Sequence, residues 1–492
     1  PDTHGPFEGL PGKGKKSAVR SALRVDAWRT VATQIAELGR QTFCLVMARE
    51  FYPAQNGAGG TRHDDSINKA STRQALASIG LARAQFLTPP SQTNGNSQID
   101  IADFLHRVQA AMRDLMSAHS GRVDGVKQEV DRCLNDVPAK ERPMQIIGIT
   151  VVRKNGGRSR YGISGTYLAV ALRIEVETGR CDVRCAHEGA AGLILTPWQH
   201  FPEALATVSR LSPVRLAEKR EVAKVRFMDF AEQVISEAVE AETRPLIIID
   251  SSNSVHLWGW LSDGNIDVTK IDIGQHQWMQ DTWKGGRIVR VRQDLAPRIV
   301  EDKFKQLAAS TQDDTRRRVD LPVDICVPAP SSPGGLYRMD PDKETGCVAY
   351  LSVGRNTLVT KARGPSSYRS TKVTVPERRA TDDRSRTSQV TNASGENLLR
   401  LGIRPPFTDQ WPTPNPLEIV VTLRQKGDDP DRLALLVEAL RHVMGHYSEW
   451  TTLPAPLFFE RVMRDYISGF VLEDEAGDDQ DDLEGMSGSE TH

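Results

Sequence analysis

Apolar side chains at Ile101, Phe104, Leu105, Val108, Ala111, Met112 and Leu115 recur every three or four residues, which predicts a helix over about 100–118 with one buried face. The same reading predicts a helix at about 22–38 ended by Gly39 and a buried strand at 42–48 (TFCLVMA). A helix at about 67–79 stops at Gly80, and a short strand follows at 84–87 (AQFL). The breakers QNGAGGTRHDD and TPPSQTNGNS separate these elements. Strand, helix, strand and helix within about a hundred residues describe a small α/β domain.

From residue 144 the period shortens. MQIIGITVV (144–152), TYLAVALRIEV (166–176) and CDVRCAHE (181–188) read as three strands of a meander, with ETGR a tight turn between the second and third. A helix near 202–210 is followed by a longer one, on which Phe227, Phe230, Ala231, Val234, Ile235 and Ala238 share a face. That helix feeds PLIIID (245–250), a continuous apolar run of the kind a buried parallel strand requires. Three antiparallel strands, a crossover helix and a buried fourth strand form the opening topology of the ribonuclease H fold.

A chain of 492 residues is too long for one hydrophobic core and predicts two to four domains. No apolar run reaches the roughly 18 residues of a membrane-spanning helix, and PDTHGPFEGLPGKGKK has no apolar core to make it a signal peptide. Six cysteines are too few for a disulfide framework, which predicts a reducing, cytoplasmic setting. Cys181 and Cys185 read as core residues. His442 and His446 have Val443 where a zinc peptidase needs its general base. The net charge of −1 hides an asymmetry. Residues 471–492 hold nine acids and no Lys or Arg, so the other residues carry +8. A disordered acidic tail on a mildly basic body suits a polyanionic ligand.

Three stretches resemble the MID and PIWI domains of the Argonaute superfamily. TTLPAPLFFERVMRDYI (451–467) resembles the terminal Piwi signature, LIIIDSSNS (246–254) the strand ending in the second catalytic carboxylate, and NKASTRQALASIGLARAQFL (68–87) the MID element that holds a guide's 5′ phosphate. RIVRVR (287–292), GGLYRMDP (334–341), YLSVGRN (350–356) and NPLEIVVTLRQKGDDPDRLALLVEALRH (415–442) narrow the resemblance to the divergent bacterial PIWI-RE family, over about residues 40–470. It implies an α/β chain with a Rossmann-like MID domain (21–140) and a ribonuclease H-like PIWI domain (141–470). A linker (1–20) and the acidic tail (471–492) flank them. Full-length relatives in that family begin with a further region, so Pro1 reads as an internal start.

The resemblance also implies site residues. Lys69 and Arg73, at i and i+4 on one helix face, would bind a guide's 5′ phosphate with Gln85 and Arg107. His106 and Arg113 are further candidates, and the helix N-terminus near Asn68 would add backbone donors. Arg290, Arg292, Arg355, Arg369 and Lys372 would line a channel that grips backbone phosphates. The segment 361–386 alone carries eight Lys and Arg against three acids. Trp258 and Trp260 read as core. A ribonuclease H centre uses several carboxylates to hold two Mg²⁺ ions about 4 Å apart. Asp250 stands at the second position and is the one expected metal ligand. Thr150 replaces the first carboxylate, and Arg461 stands at the last-helix position. The expectation is a protein that pairs a short guide RNA or DNA with a complementary target for defence against invading DNA, without slicing. One alternative is a Mg²⁺-dependent slicer using Asp250, Glu188 and Asp465. Another is an interaction scaffold with a vestigial nuclease fold. The family context implies a DinG-type helicase and a restriction-endonuclease-fold nuclease as partners.

Overall fold

The computed structural model describes residues 17–47, 51–52, 61–62, 65–89, 101–154, 166–189, 192–211, 215–217, 219–241, 244–262, 265–274, 276–283, 285–293, 336–338, 348–352, 417–444 and 451–467. The first domain runs α1 (Ser17–Ala36), β1 (Thr42–Met47), β2 (Phe51–Tyr52), β3 (Thr61–Arg62), α2 (Asp65–Ser78), β4 (Ala82–Leu87) and α3 (Ile101–Met116). The strands β1 and β4 pair in parallel, Thr42 opposite Ala82 through Met47 opposite Leu87. Trp28, Ala32, Ala75, Leu76, Ala82 and Ala84 form their core with α1 and α2. The small residues bring the two helices close: a Cβ on Gly80 would lie 2.7 Å from the Ala32 carbonyl oxygen. Then α4 (Val126–Cys133) leads into the second domain.

There β5 (Gln145–Lys154), β6 (Thr166–Glu175) and β7 (Cys181–Gly189) form the expected antiparallel meander. Next come β8 (Gly192–Leu195), β9 (Gln199–His200), α5 (Phe201–Arg210), α6 (Arg220–Glu240), β10 (Leu246–Asp250) and the single turn α7 (Ser251–Ser254). A hairpin of β11 (Lys270–Ile273) and β12 (His276–Met279) precedes β13 (Arg287–Gln293), β14 (Leu336–Arg338), β15 (Ala349–Ser352) and β16 (Leu417–Val421). Two helices, α8 (Pro430–Ala439) and α9 (Ala455–Arg464), are the last among the described residues. The large sheet has the order β14-β15-β16-β13-β10-β5-β6-β7-β8, with β9 also on β7. Within it β10 is parallel to both β5 and β13, the ribonuclease H arrangement.

Helices cover both faces, which is why every residue of β10 is buried. Ile147, Ile149, Val151, Ile247 and Ile249 face α6. Their neighbours in alternation, Ile146, Val152, Leu246, Ile248 and Val289, face α5, α8 and α9. Gly148 belongs to this second face. A Cβ there would lie 2.9 Å from Leu457 Cδ2 and 3.1 Å from Pro456 Cβ, so its bareness lets the first turn of α9 rest on β5. Cys181, Cys185, Trp258 and Trp260 are core residues, as read from the sequence, and burial pushes the Cys185 thiol up to about 12.

Candidate nucleic-acid interface

The α9 face of the sheet carries the nuclease-like centre. Strand alternation turns Thr150 of β5 and Asp250 of β10 to this face. Both are buried, and Thr150 Oγ1 donates to Asp250 Oδ2 at 2.9 Å. Asn253 Nδ2 donates to the same oxygen at 2.8 Å, and the Ser252 N–H donates to Oδ1 at 2.9 Å. Asp250 therefore also caps the α7 turn, the role any strand-end aspartate could take. Burial raises its pKa against the pull of those three donors.

A second acid reaches the centre from α9, and it is Glu460. Burial first, then the nearby Asp250 charge, push its carboxyl up to about 7, although Arg464 and Arg461 pull the other way. The signal in the sequence was helical phase: Glu460 lies three and four residues after the Leu457 and Pro456 that touch Gly148. Arg461, one step further round, turns aside to Thr452 Oγ1 at 3.4 Å.

The other carboxylates expected here lie elsewhere. Glu188 is on the α6 face of β7, where Arg215 and Arg226 donate to it at 2.5 and 3.1 Å. Desolvation opposes them, yet those bonds hold its pKa below the usual value. Asp250 projects from the opposite face, so one metal site cannot include both. Asp465, just past α9, pairs with Arg73 of the first domain at 2.5 Å. Among the described residues no three His, Cys, Asp or Glu side chains are grouped to hold a metal ion. Both Asp250 oxygens already have donors, and no third acid is grouped with Asp250 and Glu460 among the described residues. The described residues do not fit a two-Mg²⁺ centre.

Three of the expected phosphate-binding residues, Lys69, Arg73 and Gln85, converge at the junction of the two domains. Lys69 Nζ and the Arg73 guanidinium lie over the Phe86 ring, 6.0 and 5.3 Å from its centroid. Arg73 Nε donates to the Ala84 carbonyl at 3.3 Å and Nη2 to Gln85 Oε1 at 3.0 Å. Gln85 Nε2 donates to Asp114 Oδ2 at 2.6 Å, and His119 Nε2 lies 3.2 Å from the same oxygen. His119 is buried, which pushes its pKa down and keeps the ring neutral. Its proton is therefore assigned to Nε2, facing Asp114, and Nδ1 accepts from the Tyr466 hydroxyl at 2.8 Å. Tyr466, its pKa pushed up to about 12 by burial, accepts from the Ala84 N–H at 3.4 Å. The network thus closes from Asp465 through Arg73, Gln85, Asp114 and His119 back to Tyr466. Asp114 and His119 were missed in the sequence. The available signal was a carboxylate beside Ala111 and Leu115 on the buried face of α3.

Arg107 stands apart from this network. It bonds Asp103 at 2.9 Å and the Thr88 carbonyl at 3.0 Å, just beyond the end of β4. Of the channel residues, Arg290 is buried, paired with Glu418 and bonded to the Leu261 carbonyl at 3.1 Å, so it faces the interior and not a channel. Arg292 is half-buried at the end of β13. Arg355, Arg369 and Lys372 lie outside the described residues, as do His446, the linker up to residue 16 and the acidic tail.

A Rossmann-like unit joined through a polar network to a ribonuclease H-like sheet defines a two-domain MID–PIWI module. A family model described as the RNaseH domain of pPIWI_RE matches residues 146–469, and one described as the MID domain of pPIWI_RE matches residues 1–128. The chain belongs to the pPIWI_RE family. No curated protein matches it. Among solved structures it is similar to Clostridium butyricum Argonaute bound to a guide DNA (5′ deoxycytidine) and a 19-mer target DNA, at 10% identity and a TM-score of 0.37. The match covers 91% of this chain and 40% of that one, so the chain spans about two fifths of that Argonaute's length. No helix among the described residues is long and apolar enough to cross a membrane.

Proposed function

We propose that this protein holds a short guide strand by its 5′ phosphate and pairs it with a complementary target without cutting the target itself. The observation that carries the reading is the setting of Arg73. Its guanidinium is fixed by the Ala84 carbonyl and Gln85 on one side, and on another edge it meets an anionic group. A charge-assisted, preorganised donor of this kind suits a terminal phosphate. Lys69 over the same Phe86 ring supports a second positive charge at the pocket. Arg292 and the basic segment 361–386 are the candidates for backbone contacts along a guide–target duplex. The fit of the centre supports the absence of slicing: among the described residues it holds two acids, one already bonded to Thr150, too few to cage two cations. Cutting would then fall to a partner nuclease, with a DinG-type helicase opening the duplex, in defence against invading DNA.

The test is binding of matched 5′-phosphorylated and 5′-hydroxyl oligonucleotides, followed by incubation of the paired target with Mg²⁺ or Mn²⁺. The expected result is a 5′-phosphate preference and an intact target. Equal binding of both strands would refute guide-end recognition. Cleavage by the wild type that Asp250→Ala abolishes would establish a slicer instead.

A further inference from the structure

We propose that the Asp465 carboxylate occupies the seat of the guide's terminal phosphate and must vacate it before a guide can bind. The inference rests on the guide-end reading above and adds its regulation. Arg73 is only 11% exposed, and Nη1 donates to Asp465 Oδ2 at 2.5 Å. Asp465 therefore sits where an incoming anion would meet the guanidinium. A carboxylate and a phosphate oxygen present the same acceptor chemistry to that edge.

The two neighbours in sequence behave differently. Tyr466 is buried and fixed by His119 and the Ala84 N–H, whereas the Asp465 side chain is 47% exposed. The carboxylate can thus swing into solvent by side-chain rotation while the backbone stays anchored. A phosphomonoester carries about 1.5 to 2 negative charges against one for the aspartate. It would also meet Lys69 over the shared Phe86 ring. A 5′-phosphorylated strand can therefore displace Asp465. A 5′-hydroxyl strand brings no terminal anion and leaves the latch closed.

The experiment measures affinities of one oligonucleotide in 5′-phosphate and 5′-hydroxyl forms, for wild type, Asp465→Asn and Asp465→Ser, in EDTA and in Mg²⁺. Both variants should raise the phosphate-over-hydroxyl affinity ratio about 1.5-fold to fivefold, the scale of removing one partly exposed ion pair. A ratio that stays constant, with both strands tightening equally, would reduce the effect to general charge and overturn the latch. A ratio that falls, most of all in Mg²⁺, would overturn it by making Asp465 a cation-bridged ally of the phosphate. Failure of the guide-end reading looks different, because the wild type itself then shows no phosphate preference. Asp465→Ser guards against a folding artefact peculiar to one substitution.

Discussion

Thr150 and Glu460 set the character of the nuclease-like centre. Thr150 supplies a proton donor to Asp250 where the family resemblance expects the first carboxylate. Glu460, buried on α9, is an acid whose pKa burial lifts from 4.5 to about 7. Between those two values the unfolded chain has lost the proton that the folded chain keeps. This group's contribution therefore makes stability fall as pH rises from about 4.5 to 7, by on the order of 2–3 kcal/mol. Glu460→Gln, which mimics the neutral acid, should flatten that slope and raise the urea midpoint at pH 8. An unchanged slope in the variant would show that Glu460 does not titrate as described. Residue identity revealed two of the centre's three members: Thr150 and Asp250 stood out by type and position. Glu460 was hidden beside Arg461 because a shift of one residue in a helix rotates the side chain by about 100°.

At the scale of elements, the seat of α9 on β5 depends on one missing side chain. Gly148→Val would drive a branched side chain into Leu457 and Pro456. It should cost about 1–3 kcal/mol by overpacking, read as a lower denaturation midpoint. An unaltered midpoint would mean that α9 shifts freely and is not fixed by this contact. Long strands were legible because both faces of the sheet are covered, so β5, β6 and β10 appear as dense apolar runs. The eight residues of α4 bury Val126, Val130 and Cys133 at i, i+4 and i+7, a regular pattern that lasts only two turns. The β11–β12 hairpin mixes polar and apolar residues over four-residue strands and escaped notice for the same reason. Alternation also misled at β13. Arg290 and Arg292 share one side of the strand, but Arg290 is buried there while Arg292, at the strand's end, is half-buried. Glu418 of β16, opposite Arg292 and diagonal to Arg290, was the cross-strand acid that signalled an internal pair.

For the whole molecule, charge distribution is legible from sequence while domain contact is not. The nine acids of residues 471–492 lower a body charge of +8 to −1. Deleting them should tighten binding of single strands at low salt, with the gain fading above about 0.2 M as screening takes over. Thermal stability should barely move. If affinity is unchanged at every salt concentration, the tail acts on solubility alone. The junction network could not be read in advance, because its members come from α2, β4, α3, the loop after α3 and the end of α9. Only Lys69, Arg73 and Gln85 shared a sequence neighbourhood close enough to suggest one site.

Glu460 and Asp465 are five positions apart, about 7.5 Å along a helical path and roughly 140° around it. The last helix therefore works as a ruler whose two marks engage different domains. Adding or removing a single residue between those marks would rotate one of them by about 100°, so that no packing of α9 could satisfy both. Insertions and deletions are therefore barred from this stretch even though neither end needs to perform chemistry. Its spacing is constrained by geometry alone, and the two ends can evolve only in step.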